Sequence, residues 1–251
     1  MESVPVLFQD VVFGYTEEKI FNKLNLKIPV GMTSLLGPNG SGKSTLLYLA
    51  TGRILPESGS VHLWGKPTSE LEVPVRDLLA SMLYQNLEFD QEESIGELLE
   101  MVEAAGNLTG RGLIPTIIRE LELETLLDRP TSKVSKGEMQ RALLGFSLLY
   151  GSSVMALDEP VFALEEDHKL RVMAFVREFS KAHGLSVLSS LHELELSRDY
   201  FDYMLFLPAK EGPELGTTAE MFSREKLEKL FSAPFSSLKT RESFFRLGLG
   251  V

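Results

Sequence analysis

The 251-residue sequence contains no cysteine. Disulfides, thiolate catalysis and cysteine-ligated zinc are therefore excluded. It also lacks an apolar run long enough to cross a bilayer. The longest uncharged stretch, Ala142 to Leu157, has 16 residues, where a spanning helix needs about 20. Gly151-Ser152-Ser153 interrupts it, so it reads as the end of a buried helix, a turn and a buried strand. Basic residues are in deficit. Lys and Arg number 25 against 36 Asp and Glu, giving a formal net charge of −11. Non-specific nucleic-acid binding depends on Lys and Arg, so no nucleic-acid partner is expected. Met1-Glu2-Ser3-Val4-Pro5 has no basic segment and no apolar segment, and no signal peptide is expected. No internal repeat, low-complexity tract or sustained heptad pattern is present.

What remains is an ordinary globular composition, 43% hydrophobic and 24% charged, in a chain long enough for one large domain or a domain with a subdomain. Its most informative string is Gly37-Pro38-Asn39-Gly40-Ser41-Gly42-Lys43-Ser44-Thr45. This fits G-x-x-x-x-G-K-[ST], a loop that holds nucleotide phosphates. Gly37, Gly40 and Gly42 let the backbone curl so that successive N–H groups point inward at an anion. A helix starting near Lys43 adds unpaired N–H groups and about half a positive charge. Lys43 can reach the β- and γ-phosphates, and the Ser44 hydroxyl can ligate Mg²⁺, a hard ion that prefers oxygen. The pattern arises by chance in about one in a hundred chains of this length. Its setting makes it more specific. Met32 to Leu36 reads as a buried strand before it, and Leu46 to Ala50 as a helix after it.

Val6 to Phe13 and Leu24 to Ile28 read as strands, the second alternating apolar with polar. Gly59 to Gly65 reads as a strand closed by glycine, and Leu79 to Tyr84 as a strand leading into Gln85. Between about Asn86 and Thr131 the texture becomes helical, with helices expected over Ser94 to Ala105 and Thr116 to Leu127. Ser94 and Glu97 form a candidate capping box. Strand-like runs return at Val154 to Leu157, Leu185 to Leu191 and Tyr203 to Leu207, with a helix expected over Leu164 to Lys181. Strand, helix, strand at this spacing predicts a parallel sheet with crossover helices. Ser153 to Pro160 is an apolar strand ending in Asp158 and Glu159. Beside a phosphate loop, Asp158 is placed to hold the Mg²⁺ shell and Glu159 to face a water that attacks the γ-phosphate.

At this point the chain resembles the nucleotide-binding subunits of ABC transporters. Tyr15 falls where an aromatic residue stacks on adenine. Gln85 falls where the family's Q-loop glutamine opens a helical insertion. Val134-Ser135-Lys136-Gly137-Glu138 looks like the signature usually written L-S-G-G-Q, and His192 ends a strand as the family's switch histidine does. The resemblance implies an α/β fold: a P-loop NTPase (RecA-like) parallel sheet core with an N-terminal antiparallel β subdomain and an inserted α-helical subdomain. Within a single 1–251 domain, the expected division is 1–85 for the β subdomain and phosphate loop and 86–134 for the helical insertion. Residues 135–207 complete the core and 208–251 form a C-terminal extension.

The resemblance also implies a mechanism. Two subunits, identical or not, pack head to tail around two ATP molecules. Ser135 and Gly137 of one face the phosphate loop of the other. Glu159 polarises water, His192 contacts the γ-phosphate, and Gln85 touches Mg²⁺ or the water. Separate permease subunits carry the cargo, with a solute-binding protein as a further partner, and the ATPase sits peripherally on the cytoplasmic face of the membrane. The chain departs from the family pattern in places. Lys136 replaces a glycine and Glu138 a glutamine, whose amide donor is lost. Phe162 and Glu165 stand where a serine and an aspartate usually couple the two sites. Leu215 to Phe222, with a helix expected from about Arg224 to Phe231, resembles the tail of importer ATPases for metal chelates and cobalamin. Export remains open, as does a soluble ABC-type ATPase acting in cofactor assembly or DNA maintenance. A P-loop kinase is disfavoured by the signature and His192.

Overall fold

The computed structural model describes residues 4–85, 92–208 and 212–238. In chain order the strands are β1 (Val6–Phe13), β2 (Phe21–Ile28), β3 (Met32–Leu36), β4 (Ser58–Leu63), β5 (Lys66–Pro67), β6 (Ala80–Leu83), β7 (Val154–Asp158), β8 (Ser186–Ser190), β9 (Tyr203–Phe206) and β10 (Glu214–Thr217). The helices are α1 (Lys43–Ala50), α2 (Val73–Leu79), α3 (Ile95–Ala105), α4 (Ile114–Glu120), α5 (Lys136–Tyr150), α6 (Glu166–His183), α7 (Leu194–Tyr200), α8 (Thr218–Met221) and α9 (Arg224–Phe231).

Two sheets form. One is antiparallel, in the order β2-β1-β4-β5. The other runs β10-β9-β3-β8-β7-β6, parallel from β9 to β6, with β10 antiparallel at its edge. Strands covered on both faces need apolar residues on both, and β7 has them. Val154 and Ala156 share a core with α1 and the antiparallel sheet, whereas Met155 and Leu157 face the core formed by α3, α5 and α6. Leu46, Leu47 and Leu49 of α1 are completely buried between the two sheets. Each is worth about 1.5–3 kcal/mol of burial, which anchors the helix that follows the phosphate loop. A third cluster joins Leu36, Met204 and Phe206 to Met221, Leu227 and Leu230 of the C-terminal helices.

Several elements differ from the sequence expectation. The stretch from Leu79 is divided, because α2 runs to Leu79 and β6 occupies only Ala80–Leu83. The helix expected over Thr116 to Leu127 is α4, already over at Glu120. Glu122 adopts φ +52°, which a helix cannot continue through, and a separate 3₁₀ turn covers Glu124–Leu126. The helix expected from Leu164 starts at Glu166 and ends at Gly184, whose φ of +67° suits a C-cap. Ser94 and Glu97 do form a reciprocal capping box at the start of α3. Residues 86–91, where the helical insertion was expected to begin, and 239–251 of the expected extension lie outside the described residues.

Candidate active site

The phosphate loop joins the fully buried β3 to α1. Two of its glycines are required by contact. A Cβ on Gly37 would lie 2.4 Å from the Leu207 carbonyl oxygen, and one on Gly42 2.7 Å from Ile20 Cγ2. Gly42 also has φ +94°, a region open mainly to glycine. As the N-cap of α1 it offers no side chain, and no acidic residue occupies the first turn. The helix-terminal N–H groups are thus left for an anion. Asn39 and Gly40 are exposed, Pro38, Ser41 and Ser44 half-buried, and Thr45 buried. Lys43 Nζ donates to the carbonyls of Gly37 at 2.8 Å and Pro38 at 3.2 Å, folding the lysine over its own loop. Burial holds the Lys43 pKa below the ordinary lysine value, and the charges of Glu159 and Asp158 pull it back upward.

Asp158 ends β7 and Glu159 follows it. Asp158 is 3% exposed and pairs in register with Ser190 of β8. Ser190 Oγ donates to Asp158 Oδ1 at 2.5 Å and accepts the Glu159 N–H at 3.0 Å. Glu159 turns sharply out of the strand with φ +52°, a conformation costing a non-glycine residue about 1–2 kcal/mol. The turn presents its carboxylate to two other strand ends. Gln85 Nε2 donates to Glu159 Oε2 at 2.6 Å, and His192 Nε2 lies 2.6 Å from Oε1. Gln85, Glu159 and His192, 74 and 33 residues apart, therefore meet on one carboxylate. Lys43 is near enough to interact electrostatically with both Glu159 and Asp158.

Tyr15 stands 63% exposed on the loop after β1, edge-on to Phe13 at 5.1 Å. Glu57 fixes this loop by accepting from Gly14 N and pairing with Lys19. Tyr15 also lies on the α1 side. It contributes to raising the pKa of Tyr48 on that helix, after burial and Asp158.

Ser135 and Gly137 are not brought to the phosphate loop. Ser135 is the exposed N-cap of α5, in a capping box with Glu138. A Cβ on Gly137 would sit 3.0 Å from the Ala163 carbonyl oxygen, so the helix tip packs against the turn after Glu159. Sequence reasoning missed Ser190. Its signal is a hydroxyl at the end of a fully buried strand, Ser186–Ser190, but its partner depends on strand register.

The sequence profile of the family described as ABC transporter matches residues 21–162, more than half of the chain. The chain belongs to the ABC transporter family. Among curated relatives, the ABC ATPase chain is 28% identical over 228 residues to the iron(3+)-hydroxamate import ATP-binding protein of Bacillus subtilis (strain 168), covering 87% of this chain and 84% of that one. It is 26% identical over 241 residues to the hemin import ATP-binding protein of Escherichia coli O157:H7, covering 92% and 93%. In fold it is similar to the ATP-binding subunit of an ABC transporter, with a TM-score of 0.80, 22% identity and coverage of 96% and 100%. It is also similar to an inward-facing putative metal-chelate type ABC transporter, with a TM-score of 0.73, 21% identity and coverage of 92% and 90%. The ABC ATPase fold implied by the sequence is thus the fold observed. Tyr15 and His192 lie outside the matched span.

Proposed function

We propose that this ABC ATPase is the motor subunit of an importer for metal chelates, working as a dimer around two ATP molecules. The observation that carries the reading is the convergence of Gln85 and His192 on the Glu159 carboxylate, beside Asp158 and Lys43. The uncapped N-terminus of α1 and the Lys43 ammonium bind the β- and γ-phosphates of substrate ATP, displacing Nζ from the Gly37 and Pro38 carbonyls. Tyr15 supplies the adenine platform. Pro38, Asn39, Gly40, Ser41 and Thr45 shape the cradle.

Ser44, Asp158 and the Gln85 side-chain oxygen would hold Mg²⁺, since oxygen donors suit that ion. A cation sharing its shell with nucleotide oxygens and water needs few protein ligands. Bound there, the ion would supply neutralisation of the charge that develops on the transferring phosphate. Glu159 acts as the base that orients and polarises the attacking water. Each of its oxygens has one side-chain partner here, and each keeps a second lone pair that can accept from a water. Release of His192 toward the γ-phosphate would free a further acceptor site. Exposed Ser135, with Gly137 and the α5 N-terminus, offers donors to the nucleotide of a second subunit.

The partners in this reading are a second ABC ATPase, permease subunits and a solute-binding protein, with the chain peripheral on the cytoplasmic face. Among the described residues no helix is long and apolar enough to cross a membrane. The importer class rests on the relatives' names and on β10, α8 and α9, which form the tail that resembles importer ATPases. Tyr84, 37% exposed and tilted 42° against the Tyr48 ring, leads into Gln85, where a permease helix is expected to dock. The test of the nucleotide site is Lys43→Ala. ATP affinity, measured by equilibrium dialysis, should fall at least about a hundredfold, or about 2.7 kcal/mol. Unchanged affinity would reject the assignment.

A further inference from the structure

We propose that Gln140 is a positioning residue that locks the tip of α5 to the backbone carrying Glu159. Contact of Ser135 with a second subunit's nucleotide then sets the catalytic carboxylate of its own chain. The inference rests on the proposed roles of Ser135 and Glu159. Gln140 lies on α5, five residues beyond the Ser135 N-cap. Its carboxamide uses both ends on one turn. Nε2 donates to the Glu159 carbonyl at 2.8 Å, and Oε1 accepts the Ala163 N–H at 2.8 Å. One partner is a carbonyl and the other an N–H, so a single amide orientation satisfies both.

This turn needs holding. Glu159 sits at φ +52°, where the backbone of a glutamate does not rest unaided. On its N–H side it is fixed by the Ser190 carbonyl and hydroxyl. On its carbonyl side the acceptor is shared by Phe162 N at 3.3 Å and Gln140. Gly137 adds a second point of contact. A Cβ there would lie 3.0 Å from the Ala163 carbonyl oxygen, so the missing side chain lets the helix tip come close to the turn. A shift of α5 on meeting a nucleotide therefore moves residues 159–163, and the geometry of Glu159 against Gln85 and His192 moves with them. Positions 162 and 165 here hold Phe and Glu, so the hydroxyl usual at position 162 is not available for this coupling. Both side-chain hydrogen bonds of Gln140 go to backbone atoms of the turn, and it takes no part in the chemistry.

The test compares wild type, Gln140→Leu and Gln140→Glu in steady-state Mg-ATP hydrolysis, with folded fraction and thermal midpoint measured alongside. Leucine removes both hydrogen bonds at similar volume. Glutamate keeps the acceptor for Ala163 N and loses the donor to Glu159. Small displacements of a reacting group cost about a hundredfold. The expected result for Gln140→Leu is a kcat about ten- to a hundredfold lower per folded molecule, with KM for ATP within about threefold of wild type. Gln140→Glu should retain an intermediate kcat. A Gln140→Leu kcat within twofold of wild type overturns the proposal. So does a loss carried by KM or matched by loss of folded protein, and so does failure of both variants to fold, since the residue is then structural. Absence of hydrolysis by the wild type would instead overturn the underlying role of Glu159.

Discussion

Lys169 of α6 and Glu193, the residue after His192, form an ion pair at 2.5 Å with side chains only 7% and 14% exposed. The pair ties the loop that presents His192 to the helix that begins just beyond the Glu159 turn. Lys169 also donates its backbone N–H to Glu165, the N-cap of that helix. The histidine is thus positioned from behind by a charge pair largely out of water.

Removing one member of such a pair leaves the other charge buried without compensation. Lys169→Ala should destabilise the protein by about 3–5 kcal/mol, read as a lower urea midpoint at unchanged slope. Lys169→Met combined with Glu193→Leu should recover most of the loss, because no lone charge is left behind. A single-variant loss below about 1 kcal/mol, as an exposed pair would give, would show that the contact does not hold the loop.

Glu138 gives the signature helix an acid-sensitive cap. Its carboxylate accepts the Ser135 N–H at 2.7 Å, and Ser135 Oγ accepts the Glu138 N–H at 3.3 Å. The Ser135 backbone bond, then its side chain, holds the Glu138 pKa below the ordinary glutamate value, with Arg129 and Arg141 adding to the effect. A carboxylate with a depressed folded pKa binds fewer protons when folded than when unfolded. Its contribution is complete above the unfolded value of about 4.3 and disappears as pH falls through the folded one. Glu138→Gln keeps an acceptor but cannot titrate. The stability difference between wild type and Glu138→Gln, measured by urea unfolding, should therefore favour wild type at pH 6 and shrink steadily below about pH 4.3. A difference independent of pH would contradict the linkage.

The legible parts of the chain were those whose chemistry is local in sequence. The phosphate loop, the apolar run ending in Asp158 and Glu159, and the span of β1 and β3 could all be read because a few adjacent residues carry the whole signal. The start of β2 could not. Lys23 and Asp10 both have positive φ, and the β1–β2 register shifts between Phe8 and Val11 and again before Phe13. Those bulges break the alternation that marks a strand. The end of α4 was misread for a similar reason, since apolar residues continue past Glu122 although the backbone reverses there.

The site shows the same division. Gln85 and His192 were picked out through the family resemblance, but their meeting on Glu159 depends on three strand ends coming level. Gln140 and Lys169 carry no local signal, and the hydroxyl of Ser190 does not name its partner. Each acquires its role from strand register or helix packing between distant segments. Glu138 shows how a departure from the family pattern acquires a physical reading only in the structure. The amide it lacks is replaced by a carboxylate that caps its own helix.

In the proposed mechanism two copies of this chain close on ATP, with the exposed Ser135 tip of each meeting the phosphate loop of the other. Glu159→Gln removes the base while leaving the cradle intact. With saturating Mg-ATP, sedimentation of this variant should show a species of twice the 28.0 kDa chain mass that disperses when nucleotide is removed. Monomer at every protein concentration in Mg-ATP would contradict the account.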